Sequence, residues 1–208
     1  MPVRTGPVRR TGDDHMAEVL LFHHALGLTE GVSAFADELR RAGHTVHVPD
    51  LYEGRTFEDL EAGAAYAQEV GFDVLTERGV RAADSLPREL VYAGFSLGVL
   101  PAQKLAQTRD GALGALLLSA CVTESAFDRA WPEGLPIQVH AMEEDPFFVD
   151  DGDLAAAREL VADAEDRELF LYPGSAHLFA ERGTASFAPE ATDVCVERVL
   201  GFLAGLKA

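Results

Sequence analysis

Residues 113–119, Leu-Gly-Ala-Leu-Leu-Leu-Ser, carry no polar side chain before the last position. A strand with one solvated face alternates apolar and polar residues, so one this uniform must be covered on both sides. It reads as a central strand of a parallel sheet with helices packed on either face. The rest of the chain fits that frame. Short segments at 18–22, 89–93, 136–141 and 167–172, and the alternating segment 44–48, read as further strands. Between them lie helical patterns. Thr29 caps one, with Val32, Phe35, Ala36 and Leu39 at helical spacing and Gly43 at its end. The stretch 57–85 is mostly helical and polar, interrupted at Gly71 and Gly79, which predicts two or more helices. A helix through Leu105, another from Asp153 to Ala164, and a closing helix with Val196, Val199, Leu200 and Leu203 on one face complete the series. Strand and helix alternate throughout, the pattern of an α/β protein with a mostly parallel central sheet flanked by helices on both faces. The expected organisation is one domain over residues 16–208, with 1–15 a disordered leader rich in Arg, Gly, Pro and Thr and Met16 a candidate natural start.

The strand at 89–93 leads directly into Gly94-Phe95-Ser96-Leu97-Gly98. A serine between two glycines, at a strand-to-helix junction, marks a turn sharp enough to push one hydroxyl out of the sheet. The glycines are a steric requirement, because strand and helix pass close together there. Ser96 is therefore the candidate nucleophile.

A hydroxyl attacks carbonyl carbon only when a base takes its proton and a third group fixes that base. Both partners are expected in loops after later strands. The strand at 136–141 runs into Glu143-Glu144-Asp145-Pro146, and the strand at 167–172 runs into Pro173-Gly174-Ser175-Ala176-His177. His177 is the candidate base. Asp145 is preferred to Glu143 and Glu144 as the acid because the proline after it fixes the loop. The oxyanion needs two backbone N–H donors. Leu97, at the start of the elbow helix, and Ala25, in the loop after the first strand, are the candidates. His23 and His24 are adjacent and point to opposite sides of an extended chain, with no third ligand at metal spacing, so neither a metal nor a cofactor is expected. Pro101 conflicts locally with a helix starting at Leu97 and predicts an irregular start or a kink.

The 35 acidic and 17 basic residues give a net charge of −18, which repels nucleic acid and anionic membrane surfaces. No apolar run is long enough to span a membrane. The two cysteines, Cys121 and Cys195, sit in apolar stretches and read as reduced core residues of a cytoplasmic protein.

These residues resemble the dienelactone hydrolase family, within the α/β-hydrolase superfamily. The resemblance rests on the loop His24-Ala25-Leu26-Gly27, the string Gly43-His-Thr-Val-His-Val-Pro-Asp-Leu-Tyr52, the elbow, the run 142–148, and Gly174-Ser-Ala-His-Leu-Phe-Ala180. It implies a Ser96–His177–Asp145 triad with Ala25 and Leu97 as oxyanion donors. The best-known members carry a cysteine at the elbow, a glutamate that activates it from the first loop, and arginines that hold a substrate carboxylate. Here the matching positions hold Ser96, His24 and Glu181. The expectation is a serine hydrolase acting on a small, neutral ester, lactone or thioester, as a monomer or homodimer with no nucleic-acid or membrane partner. His24 and Trp131 are candidates for the substrate pocket, and Trp131 reads equally well as a packing residue. The alternative is a ligand-binding or sensor protein on the same scaffold, with little turnover.

Overall fold

The structure, a computed structural model, describes residues 16–162 and 164–206; the expected leader lies outside them. Six strands form one sheet: β1 (Glu18–Phe22), β2 (Thr45–His47), β3 (Leu90–Phe95), β4 (Ala112–Leu118), β5 (Ile137–Met142) and β6 (Arg167–Tyr172). Their order across the sheet is β2-β1-β3-β4-β5-β6, and every neighbouring pair is parallel. β4 is central, as its apolar run requires, with Gly114–Leu118 buried.

Among the described residues, seven α-helices connect and cover the strands: α1 (Glu30–Arg41), α2 (Leu60–Val70), α3 (Phe72–Ala82), α4 (Val99–Thr108), α5 (Pro146–Val149), α6 (Asp153–Val161) and α7 (Pro189–Gly205). Successive strand residues point to opposite faces, which gives two cores. Leu20, Phe22, Tyr92 and Leu117 face one layer with Ala67, Leu75, Leu105 and Ala157 from α2, α3, α4 and α6. Val19, Leu21, Val91 and Leu116 face the other, with Val32 and Phe35 from α1 and Val199 and Leu203 from α7. This is the parallel sheet with helices on both faces expected from the alternation, and the α/β-hydrolase architecture that the resemblance implies.

Local chemistry sets several boundaries. Thr29 caps α1, its hydroxyl oxygen accepting from the Val32 N–H at 3.3 Å. Gly71, at φ +97°, separates α2 from α3 as expected. Gly79 does not interrupt anything: it lies inside α3, and a Cβ there would sit 2.4 Å from the Pro101 Cβ. An isolated glycine costs a helix only about 1 kcal/mol relative to alanine, and here it lets α3 press against α4. The elbow helix does start irregularly. A single 3₁₀ turn, Ser96–Gly98, precedes α4, so Pro101 falls in the first turn of α4, where an N–H would have no helical partner anyway.

The first crossover goes from β1 to the β2 edge, and the chain then returns to β3 on the other side of β1. The strand order therefore reverses between β1 and β3. In open parallel sheets the crevice outside the carboxyl ends of strands at such a reversal is where ligands bind. The loop after β1 and the elbow after β3 both open there.

Candidate active site

Ser96 follows β3 directly and takes a left-handed backbone conformation, φ +48°. A non-glycine residue held there stores strain. The flanking glycines show what holds it. A Cβ on Gly94 would lie 2.2 Å from the Gly98 carbonyl oxygen, and one on Gly98 would lie 2.5 Å from the Phe22 carbonyl oxygen. Strand, turn and the neighbouring β1 meet main chain to main chain, so no side chain fits at either position.

His177 lies in the loop after β6, its Nε2 2.8 Å from the Ser96 Oγ. Its Nδ1 lies 2.7 Å from the Asp145 Oδ2. A carboxylate accepts, which puts the ring proton on Nδ1 and leaves Nε2 to accept from the Ser96 hydroxyl. Asp145 is fully buried and also caps α5, its Oδ1 accepting from the Phe147 N–H at 3.0 Å. Its two oxygens thus serve two different donors. The structure brings together the three side chains that the sequence singles out from three separate loops.

The loop after β1 is shaped by its histidines. The His24 carbonyl accepts from the Gly27 N–H at 3.0 Å and from the His23 Nδ1–H at 2.8 Å. The His23 Nε2 in turn accepts from the Leu51 N–H at 2.9 Å. Burial pulls this imidazole down to about 4, so the ring stays neutral and keeps both roles. Because the peptide is planar and trans, fixing the His24 carbonyl turns the Ala25 N–H the opposite way. Ala25 and Leu97 both line a cavity of about 230 Å³ that opens at Ser96 and His177.

The cavity walls come from several elements. Ala64, Ala67 and Phe72 belong to the α2–α3 side, while Ser119 and Val122 follow β4. Phe147, Asp151 and Asp153 come from the segment after Asp145. Phe147 also lies against the His177 ring, centroids 4.7 Å apart. Asp151 and Asp153 bring negative charge to the lining, and no lysine or arginine is among the lining residues. Burial pushes the Asp153 carboxyl up, opposed by the hydrogen bond it accepts from the Cys121 N–H at 3.0 Å. A wider cleft of about 1240 Å³ lies at the opposite ends of β4, β5 and β6, lined by residues such as Ala112, Pro136, Gln138 and Glu168. It contains none of Ser96, Asp145 and His177.

The structure places two candidate pocket residues outside the cavity lining. Trp131 does not line the cavity: its ring is buried in the core, and its indole N–H donates to the Leu135 carbonyl at 2.8 Å. His24 is fully buried behind the cavity, not exposed in it, with its Nε2 2.9 Å from the Glu181 Oε2. Glu181 is therefore also turned away from the cavity, and the acidic side chains on its lining are those of Asp151 and Asp153. Sequence reasoning does not single out Ser119, Phe147, Asp151 and Asp153, although Ser119 directly follows the central strand and Phe147 stands two residues beyond Asp145. Cys121 and Cys195 are free and buried, and burial raises each thiol to about 12. Among the described residues, no group of three or more His, Cys, Asp or Glu is placed to hold a metal ion. No helix among them is long and apolar enough to cross a membrane.

The dienelactone hydrolase family model matches residues 8–206. No curated protein matches the chain. Among solved structures, a Klebsiella pneumoniae protein provisionally described as a dienelactone hydrolase aligns with a TM-score of 0.70 at 18% identity, over 94% of this chain and 90% of that one. A dienelactone hydrolase-like promiscuous phosphotriesterase from metagenomic libraries gives 0.71 at 16% identity, over 95% and 89%. A dienelactone hydrolase from Anabaena variabilis gives 0.65 at 15% identity, over 94% and 89%. At these identities the likeness is one of fold. With the family model spanning almost the whole sequence, the chain belongs to the dienelactone hydrolase family.

Proposed function

We propose that the protein hydrolyses a small, neutral ester, lactone or thioester through an acyl-enzyme on Ser96. The observation that carries this is the hydrogen-bonded chain from the Ser96 Oγ through His177 to Asp145, at 2.8 and 2.7 Å. Ser96 attacks the carbonyl carbon while its proton passes to the His177 Nε2, and Asp145 stabilises the imidazolium. The negative charge that develops on the carbonyl oxygen is met by the Ala25 and Leu97 N–H groups, the second at the start of the elbow helix. His177 then protonates the leaving alkoxide or thiolate as its bond to the acyl carbon breaks. Water, deprotonated by the same ring, releases the acid and restores Ser96.

Asp151 and Asp153 at the cavity, with no cationic side chain among its lining, disfavour a carboxylate-bearing lactone. A relative described as a phosphotriesterase fits the same preference, because a phosphotriester is also uncharged. Pro101 in the first turn of α4 and His24 paired with Glu181 are both compatible with this reading. Reduced, buried cysteines fit a cytoplasmic location. The test is labelling with a fluorophosphonate probe, followed by hydrolysis of p-nitrophenyl esters of rising acyl length and of one thioester. Wild type should be labelled and Ser96→Ala should not. An unlabelled wild type would overturn the proposal.

A further inference from the structure

We propose that Glu181, acting through His24 and braced by Thr29, is a positioning residue that ties the oxyanion loop to the loop carrying His177. This rests on the esterase reading above. Glu181 is only 4% exposed, and its carboxylate accepts two hydrogen bonds: from the Thr29 hydroxyl to Oε1 at 2.6 Å and from the His24 Nε2–H to Oε2 at 2.9 Å. A buried carboxylate is costly unless its oxygens are partnered, and both are. It also lies against the first turn of α1, where helix N–H groups favour an anion. Gly31 makes that approach possible, since a Cβ there would stand 2.3 Å from the Glu181 Cδ.

The other side of the His24 ring faces the oxyanion loop. Its Nδ1 accepts from the Leu26 N–H at 3.2 Å, which requires the proton on Nε2, the atom that Glu181 holds. Glu181 sits four residues after His177, with its own N–H bonded to the Leu178 carbonyl at 2.9 Å. One buried side-chain chain therefore connects the loop that presents the Ala25 N–H with the loop that presents the base. A glutamine at 181 offers one acceptor to two donors. If its amide N–H₂ faces His24, the ring must move its proton to Nδ1 and give up Leu26. If it faces Thr29, the hydroxyl loses its acceptor.

The test measures the second-order rate of Ser96 labelling by a fluorophosphonate, with kcat and KM for a p-nitrophenyl ester, in Glu181→Gln, Thr29→Val and Thr29→Ser. Loss of a whole oxyanion donor costs about 100- to 1000-fold, so a misplaced one should slow labelling and kcat by about 10- to 100-fold. KM should stay within about twofold of wild type, and Thr29→Ser, which keeps the hydroxyl, should recover most of the rate. Labelling of Glu181→Gln within about twofold of wild type, or a loss confined to KM, would overturn the proposal. Should Glu181→Gln fail to fold, Thr29→Val decides on the same criteria. A wild type that is itself unlabelled overturns the esterase reading instead. The contact chain is then still tested by the ¹⁵N resonances of His24, which must report the Nε2–H tautomer in wild type; a wild-type Nδ1–H tautomer overturns it.

Discussion

Gly94→Ala puts one methyl group where the elbow has no room. The new Cβ would meet the Gly98 carbonyl oxygen at 2.2 Å, its carbon at 2.4 Å and the Val99 nitrogen at 2.7 Å. All three are main-chain atoms, so no side chain can swing aside. Nor can the turn retreat freely, because Gly98 itself packs on the Phe22 and His23 carbonyls, 2.5 and 2.7 Å from where its own Cβ would be. Relief of roughly 1 Å must come from moving β3 against α4. Overpacking of this kind costs about 1–3 kcal/mol, and contacts to main chain on both sides put this case at the upper end. At about 2–4 °C per kcal/mol for a chain of this size, the melting temperature should fall by about 6–12 °C. The same shift displaces Ser96 from His177, and a displacement of about 1 Å can cost about 100-fold in rate. Gly201→Ala is the control. That glycine lies in α7 with nothing within 4 Å of its Cβ position, so alanine should raise stability by about 0.5–1 kcal/mol. Thermal melts and ester hydrolysis read both variants. A Gly94→Ala protein that melts with wild type and keeps kcat/KM within twofold would refute the steric account of the elbow.

Three other outcomes are expected. Asp145→Asn can keep its bond from Phe147 only by turning its amide N–H₂ toward His177, which forces the ring proton onto Nε2; kcat/KM should drop by about 10³–10⁴, and a loss under tenfold would exclude Asp145 as the acid. His23 is held down to about 4 and His140 to about 3, each mainly by burial, against an ordinary value of 6.5. His23 is faced by Asp50, Tyr52 and His24, and His140 by Tyr172, Gln138 and Arg198. Below pH 6.5 the unfolded chain binds protons that the folded chain refuses, so stability falls as pH drops and the loss is complete only below the folded values. About 3 kcal/mol is at stake at His23, and a urea midpoint flat from pH 7 to about 4.5 would contradict this. Finally, iodoacetamide at about pH 8 should leave native Cys121 and Cys195 unmodified and activity intact, because thiolate is scarce and access is closed; fast inactivation would point to a cysteine role.

The sheet was legible because its central strand could not be anything else: the apolar run at 113–119 demands cover on both faces, and β4 has it. The three side chains at Ser96 were legible because each stands in the loop that follows a strand, Ser96 directly after β3, Asp145 after β5 and His177 after β6. What sequence could not show was direction. Trp131 and His24 both carry pocket-like chemistry, yet Trp131 finds its acceptor inside its own loop and His24 finds Glu181 across 157 residues. A long-range partner of that kind leaves no local pattern. Gly79 misled for a related reason, since its role is set by Pro101 on another helix.

Asp145 divides its two oxygens between the His177 ring and the first turn of α5, the helix that carries Phe147 into the cavity. In the mechanism proposed above, one wall of the pocket is therefore geared to proton transfer, and remodelling it for a new substrate would disturb Asp145 at the same time. The facing wall, Ala64, Ala67 and Phe72, hangs on helices that hold none of the reacting groups. Divergence in substrate range, natural or engineered, is least constrained on that side, where small residues leave volume to fill and the proton path is untouched.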